Sequence, residues 1–377
     1  MTLRAWILLG AVCASSGCST IFGDPIAVGT GGGGTTTTSA NTTGGATSSG
    51  SAGGDAGGGC EGADLTTDPI NCGACGHGCL GSTCVSSHCQ PTVAASGQFQ
   101  PADIAADGTN IYWVNEANPG TVMQCAVSNC AGTTITLASN QDYPTALAVS
   151  STTVYWINQS ALMACSIGGC GGNPIQLIMN GSPYGLVVHP DGKHLLWTDS
   201  ASGTVDMCNT VGASCTGTLT TLVSGLKSPA GVAVDATDVY FSDTGAGVVG
   251  KAPLAGGSST TLSMGLTRPL GIAIQGETAY FVQYLGGVVN SVPTGGGTTS
   301  TLATAQIKPG GLAVDSERVY WVDSSMTGEV ASCPLAGCPA AGPTLLATGD
   351  LPYAVALDAT RVYWVDFGSG TVNWVAK

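Results

Sequence analysis

Apolar runs of four to six residues, with period-2 alternation and broken by Gly and Pro, dominate residues 91–377. Such runs read as strands, because a helix would repeat its apolar positions every three to four residues over a longer span. A proline recurs at Pro101, Pro144, Pro183, Pro229, Pro269, Pro309 and Pro352, at intervals of 39 to 46 residues. Each is followed by an apolar run such as "GVAVD" (231–235) or "GLAVD" (311–315). An aromatic strand comes next: "IYWVN", "VYWIN", "LLWTD", "VYFSD", "AYFVQ", and then "VYWVD" twice. A Gly-bearing turn in most copies, a third strand and a Thr-rich fourth run lead to the next proline.

Four short antiparallel strands per unit of about 40 residues is the pattern of a β-propeller blade. A blade cannot bury both of its faces alone, and a closed ring places each sheet between two neighbours. The last copy ends after its third strand, "GTVNWVAK", whereas "PTVAASG" (91–97) matches a fourth strand with no blade of its own. The expected fold is therefore all-β: a seven-bladed β-propeller over 91–377, with an N-terminal outer strand closing the last blade. Six blades plus a stray unit is the competing count.

Composition agrees with strands and turns, with 58 Gly and only 8% charged residues. A formal charge of −14 and nine scattered basic residues exclude a nucleic-acid partner, which needs clustered Lys and Arg. Sixteen cysteines point to an oxidising compartment.

The chain opens with Arg4, an apolar stretch over 5–14 too short to span a bilayer, and "SSG" before Cys18. This resembles a bacterial lipoprotein signal, which implies a signal peptide over 1–17 and a lipid on Cys18. Ser15 departs from the aliphatic residue usual in that signal, and Cys13 follows Val12 where a small residue is wanted. An ordinary secretory signal cut between residues 14 and 17 is the alternative, and either one exports the chain. Residues 18–59 are almost uncharged Gly, Thr, Ser and Ala, which cannot bury a core and read as a disordered tether. Residues 60–90 hold Cys60, Cys72, Cys75, Cys79, Cys84 and Cys89. An even count in a small exported module favours three disulfides, although Cys72 and Cys75 have zinc-ligand spacing and His77 stands close by. The stretch "DPINCGACGHGC" resembles the Asn-Cys-Gly-Ala-Cys-Gly modules of secreted myxobacterial proteins.

The words "YWVD", "LLWTD" and "GVAVD" resemble YWTD and NHL propeller repeats over about 285 residues. Those domains commonly have six blades, so the count of seven is a departure. The resemblance implies an extracellular or envelope scaffold that binds something on one face.

Within the repeats four cysteine pairs remain: Cys125 with Cys130, Cys165 with Cys170, Cys208 with Cys215, and Cys333 with Cys338. Each pair spans the turn between third and fourth strands. The fourth repeat has Ala252 and Gly257 there and the fifth has Val292 and Gly297, so the thiols come or go together, as bonded partners would. Disulfides stapling these hairpins are expected.

Catalytic motifs are not evident. The four histidines are His77 and His88 in the small module and His189 and His194 flanking a hairpin in "VVHPDGKHLLW". Asp199, Asp243, Asp323 and Asp366 end aromatic strands, with Asn115, Asn158 and Gln283 in the same slot. They read as caps on local backbone N–H groups, with Ca²⁺ binding as the lesser reading. No other cofactor and no resident metal is expected. Residues beside the repeat prolines vary while the framework repeats, which nominates a binding face carrying Tyr143, Tyr184, Arg268, Lys308 and Tyr353. The functional expectation is a cell-envelope lipoprotein, on the outer membrane or cell surface, displaying a non-enzymatic scaffold for a protein or glycan. The alternative is a metal-dependent propeller enzyme, since the fold is similar to that of streptogramin-opening lyases and lactonases.

Overall fold

In the computed structural model, the described residues are 62–377 except 180, 211–214 and 216. The signal peptide, Cys18, the tether and Cys60 lie outside them. Seven four-stranded antiparallel sheets form a closed ring. Blade 1 runs Pro101–Ala106, Asn110–Asn115, Gly120–Ala126 and Ile135–Gln141. Blade 2 holds Leu147–Val149, Thr153–Asn158, Ala161–Ser166 and Ile175–Ile178. Blade 3 holds Pro183–Val188, His194–Asp199, Thr204–Asn209 and Thr220–Val223. Blades 4, 5 and 6 have inner strands Pro229–Val234, Pro269–Gln275 and Pro309–Val314. Blade 7 takes Pro352–Leu357, Arg361–Asp366 and Thr371–Ala376, and its outer strand is Thr92–Ala95. The N-terminal strand thus closes the ring, and the inner strand of each blade packs against the next, including the seventh against the first.

The aromatic second strands are buried on both faces because they lie inside their sheets and between blades. Trp113, Trp156, Trp321 and Trp364 are at most 1% exposed. Burying a Tyr or Trp requires a partner for its polar tip. At the end of the ring carrying the first hairpins, Tyr112, Tyr240, Tyr320 and Tyr363 donate their hydroxyls to Asp107, Asp235, Asp315 and Asp358 at 2.5–3.0 Å. The other oxygen of each Asp accepts two main-chain N–H groups of the same turn, such as Thr237 and Asp238 on Asp235. One carboxylate therefore shapes the hairpin and satisfies the buried phenol.

Around the axis the blades come very close. Thr198 Oγ1 accepts from Gly185 N–H at 2.8 Å and donates to Ala230 C=O of blade 4 at 2.6 Å. Ser242 repeats the arrangement, between Gly231 N–H and Leu270 C=O of blade 5. In blade 1, Asp103 takes this bridging role and accepts Leu147 N–H of blade 2 at 2.7 Å. A Cβ built on Gly231 would lie 2.3 Å from Leu270 O, so this approach is open only to glycine.

The cysteine module packs beneath blades 6 and 7, where Cys72, Cys79, Cys84 and Cys89 join the cluster of Tyr320, Val362 and Trp364. Cys72 bonds to Cys84 and Cys79 to Cys89, and Cys75 is also disulfide-bonded, so Cys72 and Cys75 do not form a zinc pair. The propeller pairs Cys125–Cys130, Cys165–Cys170, Cys208–Cys215 and Cys333–Cys338 are all bonded. In blade 1 the second cysteine opens a four-residue helix, Cys130–Thr133, in the turn itself and does not face its partner across a strand pair.

Replacing Gly231 with Ala should destabilise the ring by about 1–3 kcal/mol, because the added methyl meets backbone that cannot step aside. The urea midpoint of the variant measures this, and an unchanged midpoint would mean that neighbouring inner strands slide apart freely.

Candidate binding face

The loops entering each inner strand and those leaving each aromatic strand share one end of the ring, opposite the Tyr–Asp hairpins. Two devices hold them. The residue ending the aromatic strand grips the entering loop. Asp243 accepts Lys227, Ser228, Gly245 and Ala246 N–H groups, at 2.8–3.1 Å. Asp199 does the same for Ser182, Ala201 and Ser202, Asp323 accepts Ile307 N–H, and Gln283 accepts Thr267 N–H. Asp366 departs from this, accepting from the side chains of Trp364, Thr371 and Asn373.

The second device is absent from the sequence reading. Gln98, Gln141 and Gln306 stand three residues before a repeat proline, and their Oε1 atoms accept the indole N–H of Trp113, Trp156 and Trp321 at 2.8–3.0 Å. Where the aromatic residue is Phe241 or Phe281, the same position is Leu226 or Leu266. In these blades the buried indole is matched to an acceptor, as buried polar groups must be, whereas Trp364, with Gly349 at that position, donates to Asp366 instead. That pairing is legible in the sequence once the repeats are aligned.

The nominated residues fall into two tiers. Tyr143, Arg268 and Lys308 immediately precede prolines, with Arg268 half-buried and the other two exposed. Tyr143 is 46% exposed, Lys308 is exposed, and the Arg268 guanidinium lies 4.8 Å over the Tyr284 ring. Tyr184 and Tyr353 follow prolines and turn inward. Tyr184 is half-buried against the cluster containing Ala230 and Leu270. Tyr353 is buried at 8% exposure, with its ring centroid 5.5 Å from that of Phe367. Tyr353 therefore supports the face from within and is not part of its outer surface.

Backbone geometry separates the tiers. Gln100, Tyr143, Arg268, Lys308 and Leu351 all have φ between 45° and 57°. Non-glycine residues are uncommon in this left-handed region and strained there, by about 1 kcal/mol or more. The chain has glycine at comparable φ in the neighbouring turns, at Gly203, Gly247, Gly287 and Gly370. It keeps side chains before the prolines all the same. Their carbonyls are pinned: Glu116, Tyr284, Ser324 and Phe367 N–H groups bond to Gln100, Arg268, Lys308 and Leu351 C=O at 2.9–3.1 Å.

Large apolar residues also stand on this end of the ring, and the sequence reading did not single them out. Phe99, Met179, Met264, Leu285, Ile307 and Met326 are 60–78% exposed. Four of them, with Arg268 and Lys308, belong to the loops of blades 5 and 6. An apolar sector rimmed by cations is the pattern of a surface that takes a protein partner.

No family model matches the chain, and no curated protein matches its sequence. Solved structures share its fold. Virginiamycin B lyase from Staphylococcus aureus superposes with a TM-score of 0.63 at 11% identity, over 76% of this chain and 98% of the lyase. A histidine-to-alanine variant of that lyase, catalytically inactive and holding quinupristin, aligns equally well. Hydrazine synthase of Kuenenia stuttgartiensis gives 0.60 at 14% identity, over 75% of this chain and 97% of that one. A chain of a nidogen/laminin complex gives 0.49 at 18% identity, over 66% of this chain and 97% of that one. At these identities the likeness is one of fold.

Burial pushes Glu116 up to about 7 and Asp323 and Asp366 up to about 6. Unfolded, these groups titrate near 4, so between about pH 4 and 7 the native state binds more protons than the unfolded chain. Stability therefore falls as pH rises through that window. The urea midpoint should be higher at pH 5 than at pH 7.5, and Asp366→Asn should remove part of the difference. An equal midpoint at both pH values would contradict the assignment.

Proposed function

We propose that the chain is an exported bacterial lipoprotein that presents the face of blades 5 and 6 to a protein partner. In this reading residues 1–17 are removed, Cys18 carries the lipid, and 18–59 hold the propeller away from the membrane. The observation that carries the binding role is the exposed set Met264, Leu285, Ile307 and Met326 beside Arg268 and Lys308. Methionines adapt to a partner's contours, and the strained backbone at Arg268 and Lys308 fixes where their charges stand. In a chain of net charge −14, two cations on one sector favour a partner with acidic groups near an apolar patch. A glycan, which offers fewer apolar contacts, suits this sector less well.

The enzyme reading draws on the fold likeness to virginiamycin B lyase, in which a histidine replacement accompanies loss of catalysis. All four histidines of this chain are among the described residues, and none belongs to the proposed face: two sit in the module and two in the first hairpin of blade 3.

Two experiments test the proposal. Partners crosslinked to the full chain in envelope preparations should be lost, or held at least about tenfold more weakly, in a Leu285→Ser/Met326→Ser variant of unchanged melting temperature. The same partners recovered in equal yield would sink the assignment of the face. Separately, mass spectrometry of the mature protein should find a diacylglyceryl group on its N-terminal cysteine, absent after Cys18→Ser. An unmodified N-terminus between residues 15 and 18 would replace the anchor with simple secretion.

A further inference from the structure

The first hairpin of blade 3 breaks the pattern of its neighbours in three ways at once. In blades 1, 4, 6 and 7 three residues connect the inner strand to the aromatic strand, and an Asp accepts the Tyr hydroxyl. In blade 3 the connection is two residues longer, Leu196 replaces the Tyr, and His189 occupies the Asp position. The Asp moves to the hairpin tip as Asp191, which still orders the turn by accepting Lys193 and His194 N–H groups.

Both imidazoles now face that one carboxylate. His189 Nδ1 lies 3.0 Å from Asp191 Oδ1, and His194 Nδ1 lies 2.7 Å from Asp191 Oδ2. The Asp191 main-chain N–H lies 3.1 Å from His189 Nδ1, and in the tautomer protonated at Nε2 this nitrogen presents a lone pair, the form in which imidazole ligates a metal. A ring nitrogen and a carboxylate oxygen 3.0 Å apart need a proton or a metal cation between them. His189 Nε2 is buried with no hydrogen-bond partner, so the ring gains nothing from its other nitrogen.

We propose that His189, Asp191 and His194 form a binding site for a divalent transition-metal ion. One ligand atom from each lies within 4.8 Å of the others. Metal bonds of about 2.0–2.1 Å in a tetrahedron separate ligand atoms by about 3.3 Å, so the two contacts to Asp191, at 3.0 and 2.7 Å, must open by about 0.3 and 0.6 Å. Two imidazoles and a carboxylate suit Zn²⁺, Cu²⁺ or Ni²⁺, whereas Ca²⁺ prefers an all-oxygen set. Asp191 and His194 are each 33% exposed, which leaves at least one coordination position open to solvent or to an incoming ligand. The site stands at the end of the ring opposite the proposed partner face, so the two can be tested independently.

The full chain, stripped with a chelator, free of any purification tag and kept oxidised so that its cysteines stay bonded, is titrated with Zn²⁺ by calorimetry. One ion per chain should bind, and its affinity should fall at least about tenfold in His189→Gln, His194→Gln and Asp191→Asn. Asp191→Asn keeps the acceptor that orders the turn, and melting temperature without metal separates lost binding from lost folding. A His77→Gln/His88→Gln variant should bind as the parent does. Zn²⁺ should also raise the melting temperature of the parent and not of the three blade 3 variants. No binding, or binding untouched by these replacements, would reduce the cluster to a hydrogen-bonded hairpin and overturn the proposal.

Discussion

The pairing of Thr92–Ala95 with Thr371–Ala376 is the contact on which the rest of the propeller depends. Without it, blade 7 ends on an open strand edge and the ring has a seam between first and last blades. With it, Tyr353 and Ala354 of blade 7 and Ile104 and Trp113 of blade 1 share one apolar cluster. The cysteine module reinforces the same place. Cys89 is three residues from Thr92, is bonded to Cys79, and packs under blades 6 and 7. His77 adds hydrogen bonds to the carbonyls of Cys72 and Lys377. The module therefore acts as a clasp on the closing strand, a role that its size alone would not reveal.

Much of this was legible in the sequence because a blade repeats its demands seven times. The prolines, the aromatic strands and the orphan fourth strand gave the blade count and the closure. Bonded cysteine partners followed from their joint presence and absence. What stayed hidden depends on the sign of a dihedral angle. Nothing in the letters separates Lys308, exposed at positive φ, from Tyr353, turned inward one residue past its proline. The exposed Met264, Leu285, Ile307 and Met326 were hidden for a related reason: an apolar residue in a loop reads the same whether it packs or stands in solvent. The Gln–Trp pairs were readable, but only by comparing positions 15 residues apart across aligned copies.

The two ends of the ring divide the work. At one end, Asp–Tyr pairs secure the hairpins of blades 1, 4, 6 and 7. At the other, Asp199, Asp243, Gln283 and Asp323 hold loops whose side chains differ from blade to blade. Blade 3 reverses that division, placing its departure on the conserved end. A lengthened hairpin with two histidines and a displaced aspartate changes what that hairpin can bind while leaving the sheet above it intact.

The closing strand also sets an order of events. Thr92–Ala95 is among the first parts of the propeller to leave the ribosome, and Thr371–Ala376, its partner, is the last. Nearly 280 residues separate them. Individual hairpins can form as they emerge, but the seam joins only after Thr371–Ala376 has been made. The ring is thus a late, long-range event, slow by the standards of contacts made between neighbours in the chain. The small disulfide module beside the closing strand does not depend on that event, since Cys72–Cys84 and Cys79–Cys89 join residues only 12 and 10 positions apart.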